Sequence, residues 1–183
     1  MGSLTVQQAV SLDGYAADAA GDVGFAGSGE DWAAIDRDTL PWLETVDRVL
    51  LGAATYRLFA SFWPTDESEG ELVGPRLNAL PKSVFSRTLD AAPWGDLEPA
   101  TVERGDAVAR VRELRRDQDL VLWGSLTLMA DLLAAGVVDV VELRVMPVVL
   151  GAGRPLFARP WTGRLMGSRA YGDIVVNRYA PAW

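Results

Sequence analysis

The chain has 183 residues, 49% of them hydrophobic and 23% charged, and 17 Lys and Arg against 25 Asp and Glu leave a net charge of −8. That balance suits one soluble globular domain over residues 1–183 and opposes general binding to nucleic acid or to anionic membrane surfaces. The chain holds no Cys and no His, so disulfides, thiol nucleophiles, thiolate or imidazole metal sites and His-based proton relays are excluded, and no metal centre is expected.

Leu4 to Leu12 reads as a first strand, leaving through Ser11-Leu12-Asp13-Gly14-Tyr15 into an Ala/Gly/Asp-rich loop from Ala16 to Gly29. Asp13 suits the shaping of that turn. Glu30 to Val46 has helical periodicity through Trp32, Ile35, Leu40 and Leu43, with Pro41 expected to kink or divide it. Arg48 to Gly52 is a second buried strand, followed by a helix from Ala54 to Phe62 that stops at Trp63-Pro64. An acidic loop from Thr65 to Gly74 leads to a helical turn from Pro75 to Leu80. Lys82 to Ser86 is a third strand, Thr101 to Glu103 a short one, and Asp106 to Arg116 an amphipathic helix with Val108, Val111 and Leu114 on one face. Leu120 to Trp123 is a buried strand that turns at Gly124-Ser125 into a helix reaching Ala135, with Gly136 as its C-cap. Val140 to Val149 is a further strand, in which Glu142 and Arg144 are expected to face solvent or a partner subunit. Arg169 to Tyr171 and Ile174 to Tyr179 form a closing hairpin around Gly172-Asp173. There is no signal-peptide pattern and no apolar run of about 20 residues, so no membrane partner and a cytoplasmic location are expected.

Strands alternating with helices predict an α/β fold, a mostly parallel sheet with helices on both faces and antiparallel pairing at one edge. Ligands of such sheets bind outside the carboxyl ends of the strands. Three exits should therefore meet: Gly52-Ala53-Ala54-Thr55-Tyr56, Ser86-Arg87-Thr88 and Gly124-Ser125. Gly124-Ser125 offers the N–H groups of a helix N-terminus to a pyrophosphate, and Gly124 lets the phosphate approach the backbone. Thr55 adds a hydroxyl and a second helix start. Ser86-Arg87-Thr88 joins a guanidinium to two hydroxyls, a match for the ribosyl phosphate that separates NADP from NAD. No G-x-G-x-x-G follows a strand, so a Rossmann site of the usual kind is not supported.

In order, the chain carries Ser11-Leu12-Asp13-Gly14, Leu51-Gly52-x-x-Thr55-Tyr56, Phe62-Trp63-Pro64, Ser86-Arg87-Thr88, Gly124-Ser125, and Asp139 to Leu143 running on through Pro147 to Phe157. With these motifs it resembles a stand-alone member of the dihydrofolate reductase-like superfamily, in particular the C-terminal reductase domain of the bifunctional riboflavin-biosynthesis deaminase/reductase. The resemblance implies a three-layer fold with a central sheet of about eight strands and a homodimer. It also implies an NADPH site built from Gly52, Ala53, Thr55, Tyr56, Ser86, Arg87, Thr88, Gly124, Ser125 and Leu126. The reaction implied is hydride transfer to a pterin, pyrimidine or related heterocycle, as in 5-amino-6-(5-phosphoribosylamino)uracil reductases or dihydrofolate reductases. A non-catalytic protein binding a nucleotide or small aromatic on the same fold is the alternative.

Two departures from the family pattern stand out. Ala53 occupies the place of an arginine, a cationic phosphate contact of about 1–3 kcal/mol. The Asp-Asp-Pro-x-Leu-Thr-x-Arg segment that serves a phosphoribosyl substrate is replaced by the apolar, aromatic stretch Tyr56 to Pro64. The family's interval before the second-strand glycine lands on Asp36, the first candidate for a substrate anchor or proton relay, with Asp31 second. Tyr15, Trp32, Phe59 and Trp63 are candidates to line a flat pocket for the heterocyclic substrate.

Overall fold

The computed structural model of the protein describes residues 1–27 and 29–182. Its strands are β1 (Leu4–Ser11), β2 (Tyr15–Ala17), β3 (Arg48–Gly52), β4 (Lys82–Phe85), β5 (Thr101–Glu103), β6 (Leu120–Trp123), β7 (Val140–Met146), β8 (Arg154–Pro155), β9 (Thr162–Tyr171) and β10 (Ile174–Ala182). Its helices are α1 (Glu30–Leu43), α2 (Ala53–Ala60), α3 (Gly74–Ala79), α4 (Ala107–Leu114) and α5 (Leu126–Ala134). Eight strands form one sheet in the order β5-β4-β3-β6-β1-β7-β10-β9, and β2 pairs with β8 in a small ribbon. The first six of those strands run parallel, while β10 lies antiparallel to both β7 and β9. The late strand β6 sits between β3 and β1, which sets the exits of β3 and β6 side by side.

Helices cover both faces because the central strands are apolar on both. On one face Leu4, Val6, Leu50, Leu120 and Leu122 pack against Val111 and Leu114 of α4 and Leu128, Met129 and Leu132 of α5. On the other, Val49, Leu51, Val84 and Val121 pack against Leu43, Tyr56, Leu77 and Trp94, and Ile35 of α1 meets Met146, Ile174 and Val176. Asp106 starts α4 as expected, accepting hydrogen bonds from the Val108 and Ala109 N–H groups at 2.9 and 3.1 Å. Asp13 fixes the first turn, accepting from Ser11 Oγ at 2.7 Å and from the Gly151 N–H at 2.7 Å, and these bonds hold its carboxyl below the usual carboxylate range.

Several expected boundaries move. Pro41 does not divide α1, which is one helix from Glu30 to Leu43. The N–H it lacks falls in the last turn, so a single intrahelical bond, to the Arg37 carbonyl, is lost. The loop after β1 holds β2, and β7 stops at Met146 because Pro147 has no N–H to extend the ladder. β9 begins at Thr162 rather than Arg169. As the exposed edge strand it carries Thr162-Gly-Arg-Leu-Met-Gly-Ser-Arg, with no apolar alternation to reveal it. No helix among the described residues is long and apolar enough to cross a membrane.

Candidate functional site

A cleft of about 1520 Å³ runs along the carboxyl ends of β4, β3, β6 and β1. It has two ends of different chemistry. At one end the starts of α2 and α5 converge. The N–H groups of Ala53, Ala54 and Thr55, and of Leu126, Thr127 and Leu128, belong to first helical turns, which have no carbonyl partner within the helix. All six residues line the cleft, as do Ser86 and Arg87 from the end of β4. Both helix dipoles thus place positive potential in the same space.

The hydroxyls at this corner are engaged inside the chain. Ser125 adopts the left-handed conformation at φ 62° and ψ 58°, the one non-glycine residue with positive φ among those described. That strain turns its Oγ toward β3, where it accepts from the Gly52 N–H at 2.6 Å. Thr55 Oγ1 accepts from the Ser125 N–H at 3.0 Å and shares a hydroxyl–hydroxyl hydrogen bond with Ser125 Oγ at 3.1 Å, while Ser125 Oγ also lies 3.2 Å from the Trp123 carbonyl. A Cβ on Gly124, where φ is +60°, would lie 2.7 Å from Thr55 Oγ1. Gly124 is therefore required by the chain's own packing as well as by any approaching phosphate. Ser86 Oγ accepts from the Thr88 and Leu89 N–H groups at 3.2 and 3.0 Å, which shapes the turn, and Arg87 of that turn lines the cleft.

The other end is aromatic over a charged floor. Trp32, Phe59, Phe62, Trp63 and Trp123 line it. Phe59 lies 6.1 Å from both Trp63 and Trp123, ring centre to ring centre, and Phe62 meets Trp63 edge-on at 5.2 Å. Beneath them, Gln7 of β1 bridges its two neighbours: its Nε2 donates to Glu142 Oε1 at 2.9 Å, and its Oε1 accepts from Trp123 Nε1. Register explains the set, since Gln7 is opposite both Trp123 and Glu142. Arg144 follows two residues after Glu142 on the same sheet face, with its guanidinium 5.0 Å over the Trp32 ring. Asp36 reaches the cleft from α1 and is only 6% exposed. Burial pushes its carboxyl above the usual range, against the lowering effect of Arg144's charge.

Most of the residues expected from sequence meet here. Gly52, Ala53, Thr55, Ser86, Arg87, Gly124, Ser125 and Leu126 line the end formed by the starts of α2 and α5, and Asp36, Trp32, Phe59 and Trp63 the other. Four do not line it. Tyr56 is buried with its hydroxyl donating to the Pro93 carbonyl at 2.6 Å. Thr88 serves the turn through its backbone. Asp31 accepts from the Asp173 N–H at 3.0 Å, holding the β9–β10 hairpin. Tyr15 sits in the β2–β8 ribbon, opposite Pro155. The expectation that Glu142 and Arg144 face solvent is corrected: Glu142 is buried, held by Gln7 and Arg178, and Arg144 lines the cleft, because β7 is an inner strand between β1 and β10. Gln7 and Gln8 went unnoticed, although two adjacent amides inside a buried strand signal a polar partner. No cluster of acidic side chains able to hold a metal occurs among the described residues.

The RibD C-terminal domain family matches residues 3–176. The chain belongs to this family. It is 30% identical over 162 residues to the uncharacterized protein YyaP of Bacillus subtilis, covering 84% of this chain and 79% of that one. A putative riboflavin biosynthesis protein from Shewanella sp. PV-4 superimposes with a TM-score of 0.78 at 21% identity, over 99% of each chain. Dihydrofolate reductase from Enterococcus faecalis, complexed with NADP(H), superimposes with a TM-score of 0.60 at 14% identity, over 99% of this chain and 97% of that one. The fold is dihydrofolate reductase-like. Ala53, where the family resemblance leads one to expect an arginine, lines the cleft at the start of α2.

Proposed function

We propose that this RibD-type domain is an NADPH-dependent reductase that delivers a hydride to a planar heterocycle. One observation carries the reading: two sets of unpartnered helix N–H groups and the Arg87 side chain line the same cleft as the aromatic end. The first two suit a pyrophosphate, and Arg87 suits the adenosine-ribose phosphate. NADPH, when bound, supplies a hydride for the carbon of a C=N bond. The chain's own part is positioning and exclusion of water. Phe59, Trp63 and Trp123 offer flat surfaces that hold a ring near the reacting distance of about 3–3.5 Å. Asp36, buried and raised in pKa, can hold a proton beside the substrate nitrogen that must receive one.

Calorimetric titration with NADPH and NADH tests this reading. NADPH should bind and NADH bind at least about tenfold more weakly, with Arg87→Ala removing most of the difference. Equal affinity for the two, or no binding of either, refutes it. The second reading is a binding protein without turnover. It is favoured by Ala53 and by the engagement of Ser125 Oγ with the Gly52 N–H. Steady NADPH oxidation with a dihydropterin or pyrimidinone would dismiss that alternative.

A further inference from the structure

The turn that ends β4 is held by side chains through both kinds of backbone group. Ser86 Oγ accepts from its Thr88 and Leu89 N–H groups. Its carbonyls are held from another element. Arg104 follows β5, and its two terminal nitrogens donate to the Arg87 carbonyl at 3.4 Å and to the Leu89 carbonyl at 2.6 Å. Register brings Arg104 there. Phe85 pairs with Glu103, and the Ser86 N–H donates to the Glu103 carbonyl at 3.2 Å, so the residue after Glu103 lies beside the turn.

The two arginines have different tasks. Arg87 lines the cleft, and among the described residues its guanidinium has no carboxylate or carbonyl partner. Arg104 is not among the residues that line the cleft, and its guanidinium is engaged by the turn and by Asp90, 3.3 Å away. Asp90 stands three residues after Arg87 in the same turn. Without Arg104, two carbonyls lose their donor, and an exposed carboxylate is freed to compete with a phosphate for Arg87. Glu103, the other acid beside the turn, is already paired with Arg110 at 2.9 Å. A loosened turn would also have to be ordered when a ligand binds, which weakens binding.

We propose that Arg104 is a positioning residue for cofactor choice: its forked hold on the Arg87 and Leu89 carbonyls keeps Arg87 aimed at the adenosine-ribose phosphate of NADPH. This rests on the reductase reading in taking that phosphate as the ligand of Arg87. Arg104 itself touches no ligand, and its whole effect on selectivity passes through Arg87.

The test is a double-mutant cycle read by calorimetry on the whole protein, with NADPH, NADH, adenosine 2′,5′-bisphosphate and 5′-AMP as probes. The last two isolate the 2′-phosphate. The Arg104 side chain is 53% exposed, so replacing it leaves the core intact. Arg104→Met should weaken NADPH and the bisphosphate by about fivefold or more and leave NADH and 5′-AMP within about twofold. With Arg87→Ala already in place, Arg104→Met should change the bisphosphate by less than about twofold, because a residue that acts through another adds nothing once that other is gone. Arg104→Lys keeps the charge without the fork and should lose most of the same selectivity. Unchanged NADPH affinity in Arg104→Met, or full affinity in Arg104→Lys, overturns the proposal and leaves the reductase reading in place. So does an equal loss for NADPH and NADH, which marks a merely structural role. An equal loss with and without Arg87 overturns it too, since Arg104 would then act by its own charge. Equal affinity of the wild-type protein for NADPH and NADH, or no binding of either, refutes the reductase reading and the proposal together.

Discussion

Replacing Lys82 by Met should flatten the alkaline rise in stability. Lys82 opens β4 at 4% exposure, with Nζ donating to the Leu80 and Asn78 carbonyls at 2.7 and 3.0 Å and lying 4.5 Å from the Trp94 ring centre. No carboxylate pairs with it among the described residues. Burial lowers its pKa from 10.5 to about 8. Between those two values the unfolded chain keeps a proton that the folded chain has released, so stability rises with pH. Below about 8 both states are protonated and the cost of the buried charge is fully present. From about pH 7 to 9.5 such a shift raises stability by about 2 kcal/mol, and solvent screening brings this to about 1–2 kcal/mol. For a chain of this size that is roughly 2–8 °C in Tm. Met also strands two carbonyls at about 1–3 kcal/mol each, which shifts the variant equally at every pH. The slope therefore isolates the charge. Urea unfolding of both proteins at several pH values checks it, kept below about pH 10, where the buried Tyr56 and half-buried Tyr171 phenols, both raised in pKa, do not yet ionise. Parallel pH profiles for the two proteins would refute the reasoning.

Asp36→Asn should unfold at higher urea than the wild type at neutral pH. An acid raised above 3.8 in the fold loses stability as pH climbs through that window, so the gain should close as pH falls towards 3.8. Gly124→Ala should cost about 1–3 kcal/mol in a urea titration, because the new methyl group meets Thr55 in a left-handed backbone. Ala53→Arg should tighten NADPH by about tenfold in calorimetry, and no gain would show that the lost arginine contact was not limiting.

The parallel core was legible because its strands are short apolar runs between turn signals, as in Arg48 to Gly52 and Leu120 to Trp123. The convergence of Gly52, Ser86 and Gly124 followed from one rule about where such sheets bind ligands. What stayed hidden depends on pairing across the sheet. Glu142 and Arg144 read as an exposed face until β7 is placed between β1 and β10. Gln7 gains meaning only opposite Trp123 and Glu142. The hydroxyl exchange at Ser125 needs a backbone that sequence does not disclose, since a serine at φ 62° is rare. Edge strand β9 escaped because an edge exposed to water carries no burial pattern.

The insertion of β6 between β3 and β1 has a consequence for synthesis on the ribosome. Among the described residues β1 pairs within the sheet only with β6 and β7, which begin at Leu120 and Val140, more than 100 residues later in the chain. β1 emerges before either partner and must wait, unladdered, while β3, β4 and β5 can already assemble behind it. Only when residues beyond 120 leave the tunnel can the two halves zip together, so the ligand cleft is born late and all at once.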